Sequence, residues 1–263
     1  MPAKTISGTA IHYEESGSGP PLVLLHGFPL DARVWARQRE DLADMFRVIT
    51  PDLRGFGRSA STSPFTSLKQ LADDVRALLV ELGALPAVLG GLSMGGYVAL
   101  EYAKKYPADL RGLILVDTKA EGDTAEGKQG RDKMVQLVRE KGSAAVAEQM
   151  MPKMLAPSAA QRIPAVAREL RAIMEACPPL TIEQALLAMR DRDDHARDLP
   201  SITVPTLVIV GQHDAITPPA GAEKMRQAIP HARITIVPDA GHMAPIEQPE
   251  QVSLAIGRFI ATL

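Results

Sequence analysis

One stretch constrains this chain more than any other: Ala87-Val88-Leu89-Gly90-Gly91-Leu92-Ser93-Met94-Gly95-Gly96-Tyr97-Val98-Ala99-Leu100. It opens as a short apolar run, the pattern of a buried strand, and closes as a small-residue helix reaching about Tyr106-Pro107. At the junction stands Gly91-Leu92-Ser93-Met94-Gly95. A serine on so sharp a strand-to-helix turn has a strained backbone, and glycines two before and two after it let neighbouring chain pass close by. The turn lifts the hydroxyl out of the sheet, above the positive end of the following helix. By itself the pattern also fits an ordinary loop, since Gly and Ser are common there. Its meaning depends on whether a base, an acid and two oxyanion donors stand in order elsewhere.

The rest of the chain alternates strands and helices around that junction. Thr5 to Ser7 and Ile11 to Glu15 read as two short strands with Gly8 between them, and Leu22-Val23-Leu24-Leu25 as a strand buried on both faces. A helical stretch carrying Trp35 and Leu42 leads to the strand Phe46 to Thr50. Thr66-Ser67 starts a helix with Leu68, Leu71, Val75, Leu78, Leu79 and Leu82 on one face, and Gly83 ends it. Leu113 to Val116 is a strand closing at Asp117.

From Thr118 to about Ser201 helical patterns follow one another with no strand between. Ser158 and Thr181 read as N-caps there, Thr181 with Gln184 as a capping box. Strands return at Thr206 to Val210 and Arg233 to Val237, with helices from about Pro219 and from Pro249. The expected fold is α/β: a mostly parallel sheet covered by helices on both faces. Its core comprises residues 1–117 and 202–263, with a helical cap, residues 118–201, inserted before the last two strands. In such sheets ligands bind at the carboxyl ends of the strands, where each motif lies.

A serine hydroxyl is a poor nucleophile at neutral pH and needs a base. Of the six histidines, His242 fits best, just after the last strand in Asp239-Ala240-Gly241-His242-Met243, although a loop histidine there also has a purely local reading. The base needs an acid to fix its tautomer. Asp214 ends the preceding strand, and Asp117, at another strand end, is its competitor. The developing oxyanion needs two backbone N–H groups. Met94 supplies one and Phe28, in His26-Gly27-Phe28-Pro29, the other, because Pro29 has no N–H. His26 reads as a structural support of that loop. No Cys/His pairs stand at metal-ligand spacing, and Gly55 and Gly57 lack the spacing of a dinucleotide loop. No metal and no cofactor are expected.

The order Ser93, Asp214, His242 with strand–helix alternation resembles the α/β-hydrolase superfamily, and the resemblance covers essentially the whole chain. His26-Gly27-Phe28, Asp52-Leu53-Arg54-Gly55-Phe56-Gly57-Arg58-Ser59, Gly91 to Gly96, Gly211 to Asp214 and Gly241-His242 fit its motifs in order. Within it the chain is similar to capped carboxylesterases, cofactor-free haloperoxidases (perhydrolases) and 3-oxoadipate enol-lactonases. Haloalkane dehalogenases and epoxide hydrolases carry Asp at the nucleophile position, so Ser93 argues against both. The resemblance implies a serine hydrolase cleaving carboxylic esters; a preference for short acyl groups is expected from the helical cap, which should close an acyl pocket of limited depth. A lactonase like the 3-oxoadipate enol-lactonases, or a perhydrolase side activity, is the alternative within enzymes. A small-molecule receptor of the same fold is the alternative outside them.

Composition narrows the partners. The 263 residues suffice for one α/β domain with an insertion. A net charge of -2, from 29 basic and 31 acidic residues without basic runs, gives no footprint for nucleic acid. A single cysteine, Cys177, allows no internal disulfide and fits a reducing compartment. No apolar run approaches the ~20 residues that span a bilayer, and the N-terminus lacks the apolar core of a signal peptide. A cytoplasmic protein acting on a small-molecule ester is therefore expected, as monomer or homo-oligomer. The insertion is rich in methionine (Met134, Met150, Met151, Met154, Met174, Met189), a flexible side chain suited both to packing and to an adaptable acyl pocket.

Overall fold

The computed structural model describes residues 2–59 and 64–263, so residues 1 and 60–63 of the expected core lie outside the described part. The apolar runs fold as strands β1 (Ala3–Ile6), β2 (Thr9–Ser16), β3 (Pro21–Leu25), β4 (Arg47–Pro51), β5 (Ala87–Leu92), β6 (Leu110–Val116), β7 (Thr206–Gly211) and β8 (Arg233–Val237). They form one eight-stranded sheet in the order β1-β2-β4-β3-β5-β6-β7-β8. β2 runs antiparallel to both β1 and β4, and the other pairs are parallel. Strand order reverses about β3, which pairs with β4 on one side and β5 on the other. Such a switch point leaves a crevice at the strand ends, because connections leave to opposite faces.

The helices are α1 (Ala36–Asp41), α2 (Leu68–Glu81), α3 (Met94–Lys105), α4 (Ala125–Met154), α5 (Ala159–Arg162), α6 (Pro164–Ala176), α7 (Pro179–Arg190), α8 (Pro219–Ala228), α9 (Ala244–Glu247) and α10 (Pro249–Ile260). α2 starts where its sequence dictates: the Ser67 side chain accepts the N–H of Gln70, and Leu68, Leu71, Val75, Leu78 and Leu79 are buried. Each buried leucine is worth about 1.5–3 kcal/mol relative to exposure, so Leu71→Asp would undo the packing of this helix. The central strands present apolar side chains to both faces. Val23, Leu89, Leu113 and Val208 pack with α2 and α3, while Leu24, Val88, Ile114 and Ile209 pack with Trp35, Val252, Ile256 and Phe259.

Helices α4–α7 all lie between β6 and β7, as a helical insertion. α4 is broken at Gly142, whose φ of 75° is left-handed. The capping expectation at Thr181 needs correction, whereas Ser158 stands at the N-cap position expected of it. α7 begins at Pro179, so Thr181 stands inside the helix, and no capping box with Gln184 forms. Proline is favoured in the first turn because its missing N–H has no helical partner there to lose. The Thr181 hydroxyl instead donates to the carbonyl of Gly55 at 2.9 Å, fastening the insertion to the loop after β4. Ser158 is the N-cap residue of α5, with a helical backbone (φ −81°, ψ −15°) and no side-chain cap hydrogen bond. Among the described residues no helix is long and apolar enough to cross a membrane.

Candidate active site

Ser93 follows β5 and precedes α3 with φ 53° and ψ −113°, a conformation costly for any residue with a Cβ. The turn is held by its surroundings. The Ser93 N–H donates to Val116 O at 2.9 Å, and the Thr118 hydroxyl donates to Ser93 O at 2.8 Å. A Cβ on Gly91 would overlap the Gly95 carbonyl, and one on Gly95 would lie 2.5 Å from Leu25 O. The two glycines therefore let the start of α3 lie against the ends of β3 and β5.

The sheet brings Ser93, His242 and Asp214 into one line. The Ser93 hydroxyl stands 2.9 Å from His242 Nε2, and His242 Nδ1 stands 2.9 Å from Asp214 Oδ2. The carboxylate on Nδ1 assigns the proton to that nitrogen and leaves Nε2 as acceptor for the serine O–H. Asp214 is buried and fully engaged. Its Oδ1 accepts the N–H groups of Ile216 and Thr217 at 2.8 and 2.9 Å, and its Oδ2 accepts the Thr217 hydroxyl at 2.6 Å. Burial pushes this carboxyl up, but hydrogen bonding and charge from His242, with the Thr217 bonds, outweigh it and hold the group below the usual carboxylate range.

Asp117, the rival acid, does something else. Its Oδ1 accepts the Gly211 N–H at 2.7 Å and its Oδ2 the Ala244 N–H at 3.2 Å. It ties the end of β7 to the chain just beyond His242. Complete burial, followed by the neighbouring charge of Asp214, raises its carboxyl well above the ordinary range. Two further residues escaped the sequence reading. Thr217 was detectable, since an Asp followed by Thr three positions on is a common turn pattern. Glu247 carries no signal that separates it from any acidic residue next to a helix.

Phe28 lies in the loop after β3, and Met94 is the first residue of α3, so its N–H is one of the helix donors without an internal partner. His26 supports the Phe28 loop from below: Nδ1 donates to Gly27 O at 2.8 Å and Nε2 accepts the Leu53 N–H at 3.0 Å. Burial pushes its pKa down, which suits a neutral ring used in that way. Asp52 adds a second brace, accepting the N–H groups of Ala32 at 2.8 Å and Arg58 at 2.9 Å. A cleft of about 240 Å³ runs between this loop and the insertion, lined by Leu30, Asp31, Arg33, Ile173 and Cys177 among others. Among the described residues no three His, Cys, Asp or Glu side chains are grouped so as to hold a metal ion.

Residues 20–249 match the family model described as alpha/beta hydrolase fold. The chain belongs to the α/β-hydrolase fold family. This α/β hydrolase is 31% identical to the AB hydrolase superfamily protein YisY of Bacillus subtilis, over 97% of each chain. A thermophilic esterase from Thermogutta terrifontis superposes on it with a TM-score of 0.95 at 42% identity, covering 99% of this chain and 97% of the esterase. The enol-lactonase from Burkholderia xenovorans LB400 superposes with a TM-score of 0.92 at 28% identity, covering 99% of this α/β hydrolase and 100% of the lactonase.

Proposed function

We propose that this α/β hydrolase is a serine carboxylesterase that cleaves short-acyl esters through an acyl-enzyme. The observation that carries the reading is the unbroken line from the Ser93 hydroxyl through the His242 ring to the Asp214 carboxylate, with 2.9 Å at each step. In this mechanism Ser93 Oγ bonds the acyl carbon as its proton passes to His242 Nε2. The N–H groups of Phe28 and Met94 receive the oxyanion. Collapse of the tetrahedral species breaks the ester C–O bond, and the alcohol leaves with the proton from His242. Water then attacks the acyl-enzyme with His242 again as base, releasing the acid and restoring Ser93. Asp214 holds the tautomer and stabilises the imidazolium.

Residues 1–117 and 202–263 act as the catalytic core in this reading, and residues 118–201 as the cap that selects the acyl group. Likeness to an enol-lactonase structure over the whole chain supports a second substrate class, since a lactone is a cyclic ester open to the same attack. Turnover of p-nitrophenyl esters from acetate to dodecanoate, beside a panel of lactones, tests both. Activity should peak at acetate to hexanoate and fall by about 10⁶-fold in kcat in Ser93→Ala. Stoichiometric binding of esters without turnover would point to a receptor instead. Retention of a tenth of the activity in Ser93→Ala would remove the serine from its role.

A further inference from the structure

The loop that presents His242 is held by a carboxylate that also holds the insertion. Glu247, at the end of α9, is buried. Its Oε1 accepts the N–H of Gly241 at 2.8 Å and that of Met243 at 3.3 Å, the two residues flanking His242. Its Oε2 accepts the N–H of Ala156 at 2.8 Å, from the segment between α4 and α5 of the insertion. Leu155 and Ala156 also press on the loop itself. A Cβ on Gly241 would overlap Ala156 N and lie 2.6 Å from the Leu155 carbonyl carbon. Met154 of the insertion is buried in the same apolar cluster as Ala240, Met243 and Ala244.

We propose that Glu247 is a positioning residue that makes the placement of His242 depend on the docking of the insertion at Ala156. The inference rests on His242 being the base that activates Ser93. A carboxylate accepts through both oxygens, and its three N–H donors come from two separate parts of the chain. With Ala156 docked, the lone pairs of Oε2 are satisfied and the side chain is fixed in one rotamer, so Oε1 holds Gly241 and Met243 at a fixed height. When Ala156 lifts away, Oε2 faces no donor in a buried site, a costly arrangement that is relieved only if the side chain turns toward water. That turn releases the N–H groups on either side of His242. The histidine then loses its registration with Ser93, where a displacement of about 1 Å is enough to cost about 100-fold in rate. Catalysis thus becomes conditional on a seated insertion, although no insertion residue needs to touch the reacting atoms.

Two variants test this from opposite ends. Glu247→Gln keeps the shape but turns an amide NH2 toward one of the donors. Ala156→Pro removes the donor on the insertion and sets a ring Cδ in place of its hydrogen, against Glu247 Oε2, so it also unseats the segment, while Leu155 already has the extended conformation (φ −117°, ψ 157°) that a following proline requires. The first readout is the rate at which a small organophosphonate labels Ser93, checked by near-ultraviolet circular dichroism for retained packing. The second is amide exchange at Met243. Both variants should label about 10- to 100-fold more slowly, and Ala156→Pro should speed exchange at Met243 although it lies in another segment. kcat for p-nitrophenyl acetate should fall in step while KM stays within about twofold, because the carbonyl site is untouched. Labelling at the wild-type rate in a folded Ala156→Pro chain would overturn the coupling. The same result in Glu247→Gln would overturn the positioning role. Failure of the wild-type protein to label at Ser93 would refute the catalytic reading beneath it, a distinct outcome.

Discussion

The Asp117 carboxylate accepts the Gly211 N–H at 2.7 Å, so one strand-end acid supports the end of the strand that delivers the other, Asp214. Two acids on adjacent strands therefore divide the work: Asp214 bonds the imidazole, and Asp117 bonds the backbone around it. Asp214→Asn should cost about 10⁴-fold in kcat, since an amide stabilises the wrong tautomer of the base. Asp117→Asn should lower kcat by less than about tenfold but cost about 1–3 kcal/mol of stability, because one of two buried N–H groups then faces an NH2. Steady-state kinetics and urea melts on both variants separate these roles, and a reversed pattern would exchange them.

The backbone of Ser93 predicts a trade between stability and activity. With φ 53° and ψ −113°, the residue occupies a region that glycine enters freely. Ser93→Gly should abolish turnover and stabilise the chain by about 1 kcal/mol, released from the turn. A Tm below that of wild type would show that the serine side chain stabilises the turn more than its backbone strains it.

His195 supplies a pH-dependent contribution to stability far from the chemistry. Its Nε2 stands 3.1 Å from Glu101 of α3 and its Nδ1 2.9 Å from Asp198, which also pairs with Lys104. Burial lowers its pKa, but hydrogen bonds and charge from Glu101 and Asp198 outweigh that, and the net direction is upward from 6.5. A group whose folded pKa is raised stabilises the fold fully below its unfolded pKa, about 6.5, and loses that contribution as pH rises through the folded value. The Tm gap between wild type and His195→Gln should accordingly be wide at pH 6 and narrow by pH 9. A gap that does not change with pH would mean that the ring serves only as packing.

The methionines of the insertion divide by burial. Met154, Met174 and Met189 are buried in the apolar clusters, whereas Met134, Met150 and Met151 pack half-buried against them. Met150 touches the clusters of both sheet faces, which makes it a good candidate for an acyl-pocket wall. Met150→Trp and Met151→Trp should shift the preferred acyl length downward by two or so carbons, and the alanine variants should shift it upward. Profiles of kcat/KM against chain length that do not move in any of the four would assign this pair to packing alone.

Much of this architecture was legible because its strands are buried on both faces. Runs such as Leu22-Val23-Leu24-Leu25 and Leu113-Ile114-Leu115-Val116 leave little room for another reading, and the chain order of Ser93, Asp214 and His242 placed three side chains that the fold then gathers. The sequence also singled out His26 as a loop support, the part its two hydrogen bonds perform. What escaped depends on partners distant in sequence. Thr181 and Gln184 have the spacing of a cap, but Pro179 starts the helix earlier, and the hydroxyl has Gly55 to bond, 126 residues away. Glu247 resembles any acid before a helix, and only the fold brings Ala156 to it across 91 positions.

The bond between Thr181 and Gly55 changes what kind of structure the insertion is. It leaves the sheet after β6 and rejoins it at β7, neighbours on one side of the crevice, whereas Gly55 follows β4 on the other side. Something moored on a single bank swings like a gate and admits whatever its hinge allows. Something moored on both banks is a bridge, and the headroom beneath it is set by the height of its far abutment. That abutment is a glycine with φ 85° in a loop that precedes Ser93 in the chain. Asp52, Gly57 and Arg58 of that same loop line the cleft beside the insertion, so a change in the loop's shape would move one wall of the cleft and the far support of the span together.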